Sequence, residues 1–578
     1  RILVKPRAPE VLFGWYRQED PYIGWFCEGV ELQLFHQVAI QNIAIFPQKV
    51  QEGRVRLRLC SEFDQPCQVE AYLKKIFPTE ESGERKIGCF HVAERTLDVV
   101  LECAADAWSP ETPNLYGVRV AVLGDEGIPV DDAVVETGFR IISQEQGELR
   151  LNGERFLMTG ALCMQFLPPH EETSVTHICP RSEQILWQEL MVKQLNGNTL
   201  RMHVLGYGTN DRRYARLADR LGLLLIWTTR YIDSLEHAAR YGAWEAEEGY
   251  IRQIKARINH PSIIMWEGAN EYHPSLKDID RMYQCFVPTV KEADSTRLIC
   301  PVSHLYYAGD MLPHPGCGFY NDAGTMDEGQ CPAKAAPYWN DPNVIRSAHT
   351  YEILLGYGTD WRKMRCQEWS MQQELIDSTW HAYIVSEFAV IGRQNPGTPE
   401  AENYFKEYSY EFPDDDILGF RFGKDEWRQS QAYQALAAKA DVQAMRLAGV
   451  DGMLWCCLMG GANDGGYLKP IIDCYGYPKL AYHTLREGYQ QLYVTSDNVD
   501  VLKKPGWQIR PVVLETKQGR QYQLKVRLYE EAGELLAEHS YPVMEGVAGR
   551  MCFHAWEPPV PEDGYYEIQY CIMEKEQG

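Results

Sequence analysis

Residues 260–271 decide the fold, and they read His260-Pro-Ser-Ile-Ile-Met-Trp-Glu-Gly-Ala-Asn-Glu271. The apolar run 263–266 has the length of a buried strand, and polar residues follow it directly. The pattern predicts a strand that carries Asn270 and Glu271 at its carboxyl end. A second apolar run, Ala382-Tyr-Ile-Val-Ser-Glu-Phe388, ends in the same way at Glu387. Two strand-end glutamates predict a pair of carboxylates that meet at one edge of a parallel sheet.

The composition is typical of a multidomain globular protein and argues against two classes of partner. A chain of 578 residues is too long for one hydrophobic core. With 57 Lys and Arg against 81 Asp and Glu, the net charge of −24 argues against a nucleic-acid partner. No apolar run reaches about 18 residues, so no membrane span is predicted.

The cysteines and the first residues bear on the location of the protein. The 17 cysteines lack the spacing of a zinc site or of a disulfide framework. This favours reduced thiols and a cytoplasmic protein. No signal peptide opens the sequence, but it begins at Arg1 rather than at Met, so secretion is not excluded.

The rhythm of the predicted elements changes along the chain and predicts the domains. Residues 1–37 contain strand and turn material without a complete domain. Short strands separated by turn residues predict a β-sandwich over 38–149. Strands alternate with amphipathic helices over 150–492, and a second β-sandwich is predicted over 493–578.

Eight strand-and-helix steps in the middle region fit a (β/α)8 TIM barrel with long loops. The predicted strands are 156–161, 199–204, 223–228, 262–266, 297–302, 344–349, 383–386 and 452–457. The predicted helices include 181–195, 211–221, 244–258 and 276–293. The long loops 304–343 and 391–427 are expected to shape a binding site.

The two glutamates suit acid/base and nucleophilic chemistry on a sugar. In a parallel barrel, catalytic groups collect at the carboxyl ends of the strands, and predicted strands four and seven can face each other across the mouth. A retaining glycosidase needs two carboxyls about 5 Å apart. One must stay protonated and the other ionised, so the ionised one should meet donors. Arg201, His203 and Tyr351 are candidate donors, whereas Glu267 is expected to be a supporting hydrogen-bond partner.

Several motifs occur together in an order that resembles glycoside hydrolase family 2, which includes β-galactosidase, β-glucuronidase and β-mannosidase. Trp108-Ser-Pro-Glu-Thr-Pro-Asn-Leu-Tyr116 and Glu136-Thr-Gly-Phe-Arg140 resemble its immunoglobulin-like domain and the entry to its barrel. Asn198-Thr-Leu-Arg-Met-His203 resembles the strand-two motif, and Gly476-Tyr-Pro-Lys-Leu-Ala-Tyr482 the last barrel helix. The resemblance covers about residues 20–490 and implies a barrel flanked by immunoglobulin-like β-sandwich domains, with 1–37 a remnant or tail of the N-terminal jelly roll.

The resemblance also implies roles for the site residues. Glu271 would be the acid/base and Glu387 the nucleophile, and Asn270 would hold the sugar 2-hydroxyl. Further roles fall to residues beside these three: His349 or Tyr351 would support the nucleophile, and Trp455 would lie under the sugar ring. From the residues alone, Arg201 is equally a structural ion-pair partner, His203 a core histidine, and Trp455 a core side chain.

The function expected from these features is retaining exo-β-glycosidase activity on a glycoside or oligosaccharide, β-galactosidase-like by default. No cofactor is required, and no metal site is predicted, because Ile226-Trp-Thr-Thr-Arg-Tyr231 lacks the carboxylate of metal-dependent β-galactosidases. The alternatives are β-mannosidase-like or β-glucosaminidase-like specificity, transglycosylation, and a non-catalytic carbohydrate-binding relative. Homo-oligomers are common in the family and are an open expectation here.

Overall fold

The computed structural model describes most of the chain in separate ranges. These are residues 38–163, 181–203, 211–228, 251–270, 286–303, 341–350, 382–390, 392, 395, 427–459, 469–473, 475–497, 503, 506–516, 519–547 and 549–575. Residues 1–37, most of the long loops after predicted strands five and seven, and the predicted site residues Glu271 and Tyr351 lie outside them.

The first described region consists of antiparallel strands. Two sheets, with orders β1-β2-β5 and β4-β3-β6-β7, are followed by a small sheet with order β10-β9-β8. The strands are β1 Ile40–Gln51, β2 Arg54–Phe63, β3 Cys67–Phe77, β4 Arg85–Val92, β5 Thr96–Cys103, β6 Leu115–Leu123, β7 Pro129–Thr137, β8 Ile142–Glu145, β9 Glu148–Leu151 and β10 Glu154–Arg155.

Alternation of apolar and polar residues explains the two larger antiparallel sheets. Val55, Leu57 and Leu59 alternate with polar residues along β2 and are buried. Because successive side chains of a strand point to opposite faces, one face of β2 is apolar. That face joins a core shared by strands of both sheets, including Val69 of β3 and Val118 of β6.

The middle region forms one eight-stranded parallel sheet with order β15-β14-β13-β12-β11-β18-β17-β16. Its strands are β11 Met158–Cys163, β12 Thr199–Met202, β13 Leu224–Thr228, β14 Ile263–Asn270, β15 Leu298–Ser303, β16 Arg346–Thr350, β17 Tyr383–Phe388 and β18 Gly452–Trp455. A parallel bridge between Ile299 and Val344 joins the two ends of this order. The sheet is therefore a closed barrel, and the predicted fold class is confirmed.

Helices surround the barrel strands. Those with described bounds are α1 Ser182–Gln194, α2 Arg212–Leu221, α3 Val287–Ala293, α4 Trp427–Ala448 and α5 Leu480–Gly488, and residues 251–257 are helical as well. Asp211 caps α2 by accepting from the Arg213 amide, and Gly222 ends the helix in the left-handed conformation. No helix in the described ranges is long and apolar enough to cross a membrane.

Antiparallel strands return near the end of the chain. They form a three-stranded sheet with order β19-β20-β24 and a four-stranded sheet in which β21 pairs with β22, β23 and β25. The strands are β19 Tyr493–Ser496, β20 Pro511–Thr516, β21 Gln521–Glu530, β22 Leu535–Ser540, β23 Met544–Glu545, β24 Gly549–Cys552 and β25 Tyr566–Lys575. The domain limits at 37/38, 149/150 and 492/493 stay predictions.

Strand limits differ slightly from those predicted. β14 runs to Asn270 rather than ending at residue 266, and β17 runs to Phe388, so Glu387 lies inside the strand. Conversely, β18 ends at Trp455, and the two buried cysteines after it lie beyond the strand. Parallel pairing across the barrel extends or shortens each strand, and a local apolar pattern does not contain that information.

Candidate active site

Polar side chains gather inside the barrel at the carboxyl ends of non-adjacent strands. β12 carries Arg201, β14 carries Glu267 and Asn270, β16 carries His349, and β17 carries Glu387. Arg201 on β12 reaches Glu267 on β14, although β13 lies between their strands. Side chains of non-adjacent strands meet in this way only in the barrel interior. The group therefore lies in the mouth of the barrel, where (β/α)8 folds carry their active sites.

Glu387 is held from three directions. Arg201 Nη1 donates to Glu387 Oε1 at 2.6 Å, and His203 Nε2 lies 3.3 Å from the same oxygen. His349 Nδ1 lies 3.5 Å from Oε2. The Glu387 side chain is only 4% exposed, so water contributes little to its solvation.

These contacts decide the protonation state of Glu387. Burial alone would raise its pKa, but the charge of His349, a hydrogen bond from His203 and the charge of Arg201 together hold the pKa well below its usual range. A carboxyl group in this position is ionised at neutral pH. It therefore has the protonation state that a nucleophile needs.

Arg201 binds two carboxylates and one amide with its planar fork. Its Nε lies 2.9 Å from Glu267 Oε2, and its Nη2 lies 2.6 Å from Glu267 Oε1. The same Nη2 donates to Asn270 Oδ1 at 2.7 Å. Thr228 Oγ1 donates to Glu267 Oε1 at 2.6 Å. Glu267 thus has the supporting position expected of it, and Arg201 links it to Glu387 and Asn270.

A β-bulge in β17 turns Glu387 into the mouth. Between paired positions, β17 advances from Val385 to Glu387 while β16 advances by one residue, from Ala348 to His349. The pairing with β18 also shifts, between Val385 and Phe388. As a result, Ser386 and Glu387 both make interior contacts, whereas neighbours in a regular strand face opposite sides.

Three serines next to this bulge were not anticipated from the sequence as part of the site. Ser303 Oγ, at the end of β15, lies 2.7 Å from Ser386 Oγ, 3.1 Å from Ser347 Oγ and 3.0 Å from His349 Nε2. A usable signal existed, because Ser303 directly follows predicted strand five, Ser347 lies within strand six and Ser386 ends strand seven.

Trp455 ends β18 and is completely buried. Its Nε1 donates to the Lys469 carbonyl at 2.9 Å, and its ring packs against Phe388 in a T-shaped arrangement with the centroids 5.1 Å apart. The role of Trp455 as a platform under a sugar ring stays a prediction. What the structure describes is an anchored indole that packs against a residue next to Glu387.

Lys479, which belongs to the motif of the last barrel helix, joins two segments beside the site. Its buried ammonium donates to the carbonyls of Gly392 and Pro470, each at 2.6 Å. Gly392 lies just after β17, and Pro470 lies in the described residues 469–473, which come after β18. Lys479 therefore ties together the backbone that leaves two site-bearing strands.

Of the eight predicted site residues, the structure brings Arg201, His203, Asn270, His349 and Glu387 into one cluster. Trp455 adjoins this cluster through Phe388. Glu271 and Tyr351 lie outside the described residues. Within the described ranges, no group of three or more His, Cys, Asp and Glu side chains is arranged to hold a metal ion.

Comparisons with known proteins agree with this architecture. The model described as glycosyl hydrolases family 2 matches residues 38–140, and the model described as cellulase (glycosyl hydrolase family 5) matches residues 227–411. A β-galactosidase of Aeromonas hydrophila is 34% identical over 249 residues, which are 41% of this chain and 22% of that enzyme. One of Priestia megaterium is 28% identical over 222 residues, 36% of this chain and 20% of that enzyme.

Solved structures share the fold at low sequence identity. A β-D-mannosidase of Dictyoglomus thermophilum has a TM-score of 0.63 at 14% identity, over 94% of this chain and 65% of that chain. A family 2 β-galacturonidase of Eisenbergiella tayi bound to galacturonate has a TM-score of 0.55 at 18% identity, over 79% of this chain and 73% of that chain.

Fold and site together define the class as a (β/α)8 barrel accompanied by antiparallel β-sheets, with buried carboxylates at the barrel mouth. Within that class, the chain is similar to glycosyl hydrolases family 2, whose model matches residues 38–140, and to β-galactosidases and a family 2 β-galacturonidase. The matched regions cover about a fifth of the length of the two β-galactosidases named above.

Proposed function

We propose that the chain is a retaining β-glycosidase that removes a terminal sugar with Glu387 as nucleophile and Glu271 as acid/base. The observation that carries the proposal is the environment of Glu387, which Arg201, His203 and His349 keep ionised at the barrel mouth. Asn270 shares the Arg201 fork with Glu387 and directly precedes Glu271 in the chain. This arrangement supports the convergence of both glutamates on one sugar.

The proposed reaction has two steps. In the first, Glu387 attacks the anomeric carbon while Glu271 gives its proton to the leaving oxygen, so a glycosyl ester forms as the glycosidic bond breaks. In the second, Glu271 takes a proton from water, whose oxygen attacks the anomeric carbon and releases Glu387. Asn270 would hold the sugar 2-hydroxyl, where contacts strengthen in the transition state.

The sugar is proposed to be galactose by default, because the curated relatives named above are β-galactosidases. Mannose and glucosamine are the alternatives. A panel of p-nitrophenyl β-glycosides identifies the sugar by comparison of kcat/KM values. A difference of about 100-fold between two epimers corresponds to about 2.7 kcal/mol, which two well-placed hydrogen bonds can supply.

The decisive variant is Glu387→Gln, which keeps the shape of the side chain and removes the charge. We expect kcat to fall at least about 1,000-fold, since no ester can form. Glu189→Gln is the matched control, because Glu189 is another fully buried glutamate, on α1 outside the barrel mouth. Activity of Glu387→Gln within about tenfold of the parent would refute the nucleophile assignment.

Stereochemistry tests the mechanism separately. Proton NMR of the first product should show the β-anomer, because two inversions restore the configuration. Azide should rescue Glu387→Gly by attack from the vacated α face, giving the α-glycosyl azide. It should rescue Glu271→Gly on activated substrates by attack on the ester, giving the β-glycosyl azide. A first product of α configuration would rule out the double displacement.

A further inference from the structure

The strongest unexplained feature is the hydroxyl group of Ser303. Its oxygen lies within hydrogen-bond distance of three groups, namely His349 Nε2 and the hydroxyls of Ser347 and Ser386. Ser303 is completely buried, and His349 is 2% exposed. Burial of a hydroxyl group is costly unless the group is hydrogen-bonded. These hydrogen bonds offset that cost, and they place Ser303 where it can affect His349 and Ser386.

The two nitrogens of His349 face groups of different kinds. Nδ1 lies 3.5 Å from Glu387 Oε2, and Nε2 lies 3.0 Å from Ser303 Oγ. A histidine cation has an N–H on both nitrogens. The carboxylate can accept from Nδ1–H, and the hydroxyl can accept from Nε2–H while giving its own proton to Ser347 or Ser386. Ser303 therefore supplies the acceptor that a buried imidazolium needs on the side away from Glu387.

The same hydroxyl fits the other charge state. A neutral ring protonated at Nδ1 has a lone pair on Nε2, and Ser303 can rotate its proton toward that lone pair. The hydroxyls of Ser347 and Ser386, which hydrogen-bond to each other, can then donate to Ser303 instead. The serine group thus accepts either protonation state of His349 without leaving a nitrogen unpaired.

Ser303 also braces the bulge of β17. Its contact with Ser386 joins β15 to β17 across the interior, although β16 lies between them. Ser386 is the residue before Glu387, at the position where the pairing register shifts. One hydroxyl therefore contacts both the residue that turns Glu387 inward and the ring that faces its carboxylate.

We propose that Ser303 is a positioning residue that keeps the His349 cation beside Glu387 by accepting from Nε2–H. The expected change in kcat/KM rests on the proposed function, whereas the contact between Ser303 and His349 does not depend on it. Ser303 does not touch Glu387, so it acts only through His349 and Ser386.

The other ionisable groups near Glu387 come from four elements. Arg201 lies on β12 and His203 directly after it, and Glu267 on β14 acts through Arg201. Cys300 on β15 and Cys457 after β18 are fully buried thiols whose pKa burial raises well above the ordinary value, so they stay neutral. Of the described ionisable groups, Ser303 hydrogen-bonds to His349.

The effect of Ser303→Ala on pH dependence follows from these contacts. Loss of the hydroxyl removes a hydrogen bond at Nε2 in either charge state, but a hydrogen bond from a charged donor is the stronger one, so the cation of His349 loses more than the neutral ring. Glu387 then loses part of the positive charge that lowers its pKa. The acid limb of the pH profile of kcat/KM should move up by about half to one pH unit.

The experiment compares Ser303→Ala with Ser347→Ala and Ser303→Thr. Ser347→Ala is the matched control, because it removes a hydroxyl from the same group but not the one that contacts His349. It should leave the acid limb unchanged, and Ser303→Thr should restore most of the parent profile. Equal shifts in both alanine variants, or a shift in neither, would overturn the proposal.

A second readout does not depend on turnover. Long-range ¹H–¹⁵N spectra of histidine-labelled protein, assigned with His349→Gln, report how much of the His349 ring carries both protons at a fixed pH. That fraction should fall in Ser303→Ala and stay at the parent value in Ser347→Ala. If the parent cleaves no glycoside, the proposed function fails. The spectra would still test the role of Ser303. A lower doubly protonated fraction in Ser303→Ala than in the parent would support that role, and an equal fraction would overturn it.

Discussion

Charge sharing around Arg201 is the central feature at the scale of single residues. One guanidinium faces two carboxylates, Glu267 and Glu387, and all three side chains are almost completely buried. A buried ion pair gains little net stability, but loss of one member leaves an uncompensated charge. Glu267 therefore balances Arg201 even when Glu387 is converted into an uncharged ester in the proposed reaction.

Glu267→Gln tests this sharing. Without the charge of Glu267, Arg201 acts on Glu387 more strongly, so the pKa of Glu387 should fall further and its nucleophilicity should decrease. We expect kcat/KM to drop about tenfold or more, with the acid limb of its pH profile moving to lower pH. Thr228→Val is the control, since it removes a hydrogen bond to Glu267 without changing charge. Movement of the acid limb to higher pH would contradict this explanation.

Glu189 on α1 shows the opposite electrostatic situation. It is completely buried, and within the described structure neither carboxyl oxygen has a hydrogen-bond partner. Burial, together with the charge of Asp219, raises its pKa well above the ordinary value. The folded protein therefore keeps this proton at pH values where the unfolded chain, with a pKa of about 4.3, has lost it. Stability falls as pH rises above that value, because the unfolded state gains by ionising.

Glu189→Gln should remove this penalty. We expect the variant to be about 1–3 kcal/mol more stable than the parent at pH 7.5, with the difference disappearing near pH 4. Thermal unfolding midpoints at both pH values measure the effect. A variant less stable than the parent at pH 7.5 would show that the carboxylate has a function in the folded state.

At the scale of elements, the close contact between β11 and β12 decides where Arg201 lies. A Cβ atom at Gly160 on β11 would lie 1.7 Å from the Thr199 carbonyl oxygen on β12. The two strands pair from Gly160 with Thr199 to Cys163 with Met202, and Arg201 pairs with Leu162 in that ladder. The absence of a side chain at Gly160 is therefore a requirement of strand packing next to the site.

Gly160→Ala should force β11 and β12 apart. We expect a loss of about 1–3 kcal/mol in stability and a fall in activity, because Arg201 moves relative to Glu387. Gly83→Ala is the control, since no atom lies within 4 Å of a Cβ at Gly83. Unfolding midpoints and kcat/KM of both variants measure the two effects, and a Gly160→Ala protein with parental values would contradict the packing argument.

At the scale of the whole molecule, the first sandwich packs against the end of the barrel opposite the mouth. Arg140 follows β7 and donates to the carbonyls of Pro261 at 3.1 Å, Ile263 at 2.6 Å and Thr296 at 2.9 Å. These carbonyls lie at or before the starts of β14 and β15. Trp108 likewise donates to the Asp219 carbonyl at 2.9 Å. In barrels of this type, residues at the amino-terminal face serve stability rather than chemistry.

Arg140→Met should therefore separate stability from activity. The carbonyls of Pro261, Ile263 and Thr296 each lose a hydrogen bond, although Ile263 keeps the one from Arg297 Nε, so we expect a loss of about 3 kcal/mol in stability. The kcat/KM of the folded enzyme should stay within about twofold of the parent. Arg119→Met is the control, because Arg119 pairs with partly exposed Glu84 and Asp132, and such pairs contribute about 0–1 kcal/mol. A large loss of kcat/KM in Arg140→Met at a temperature where it is folded would contradict this separation.

The strands of the barrel could be predicted from the sequence because each strand has its own short apolar pattern. The strand ends at Asn270 and near Glu387 follow from short apolar runs that stop at polar residues. Arg201 contacts Glu267 and Glu387, which lie 66 and 186 positions further along the chain, so no short stretch of sequence predicts these contacts. The serines of three consecutive predicted strands were a signal for the Ser303 cluster, but the contacts of Ser303 with His349 and Ser386 join residues 46 and 83 positions apart and could not be predicted from neighbouring residues.

By itself, the sequence determined the eight strands of the barrel and placed a glutamate at or directly after the end of two of them, because apolar periodicity and chain order are properties of neighbouring residues. Only the tertiary structure decided that β17 bulges at Ser386 and that Glu387 shares Arg201 with Glu267 and Asn270. The physical reason is closure of the sheet. Side chains of non-adjacent strands come within hydrogen-bond distance only when the last strand pairs with the first, and the register of that pairing is fixed by packing of the whole ring.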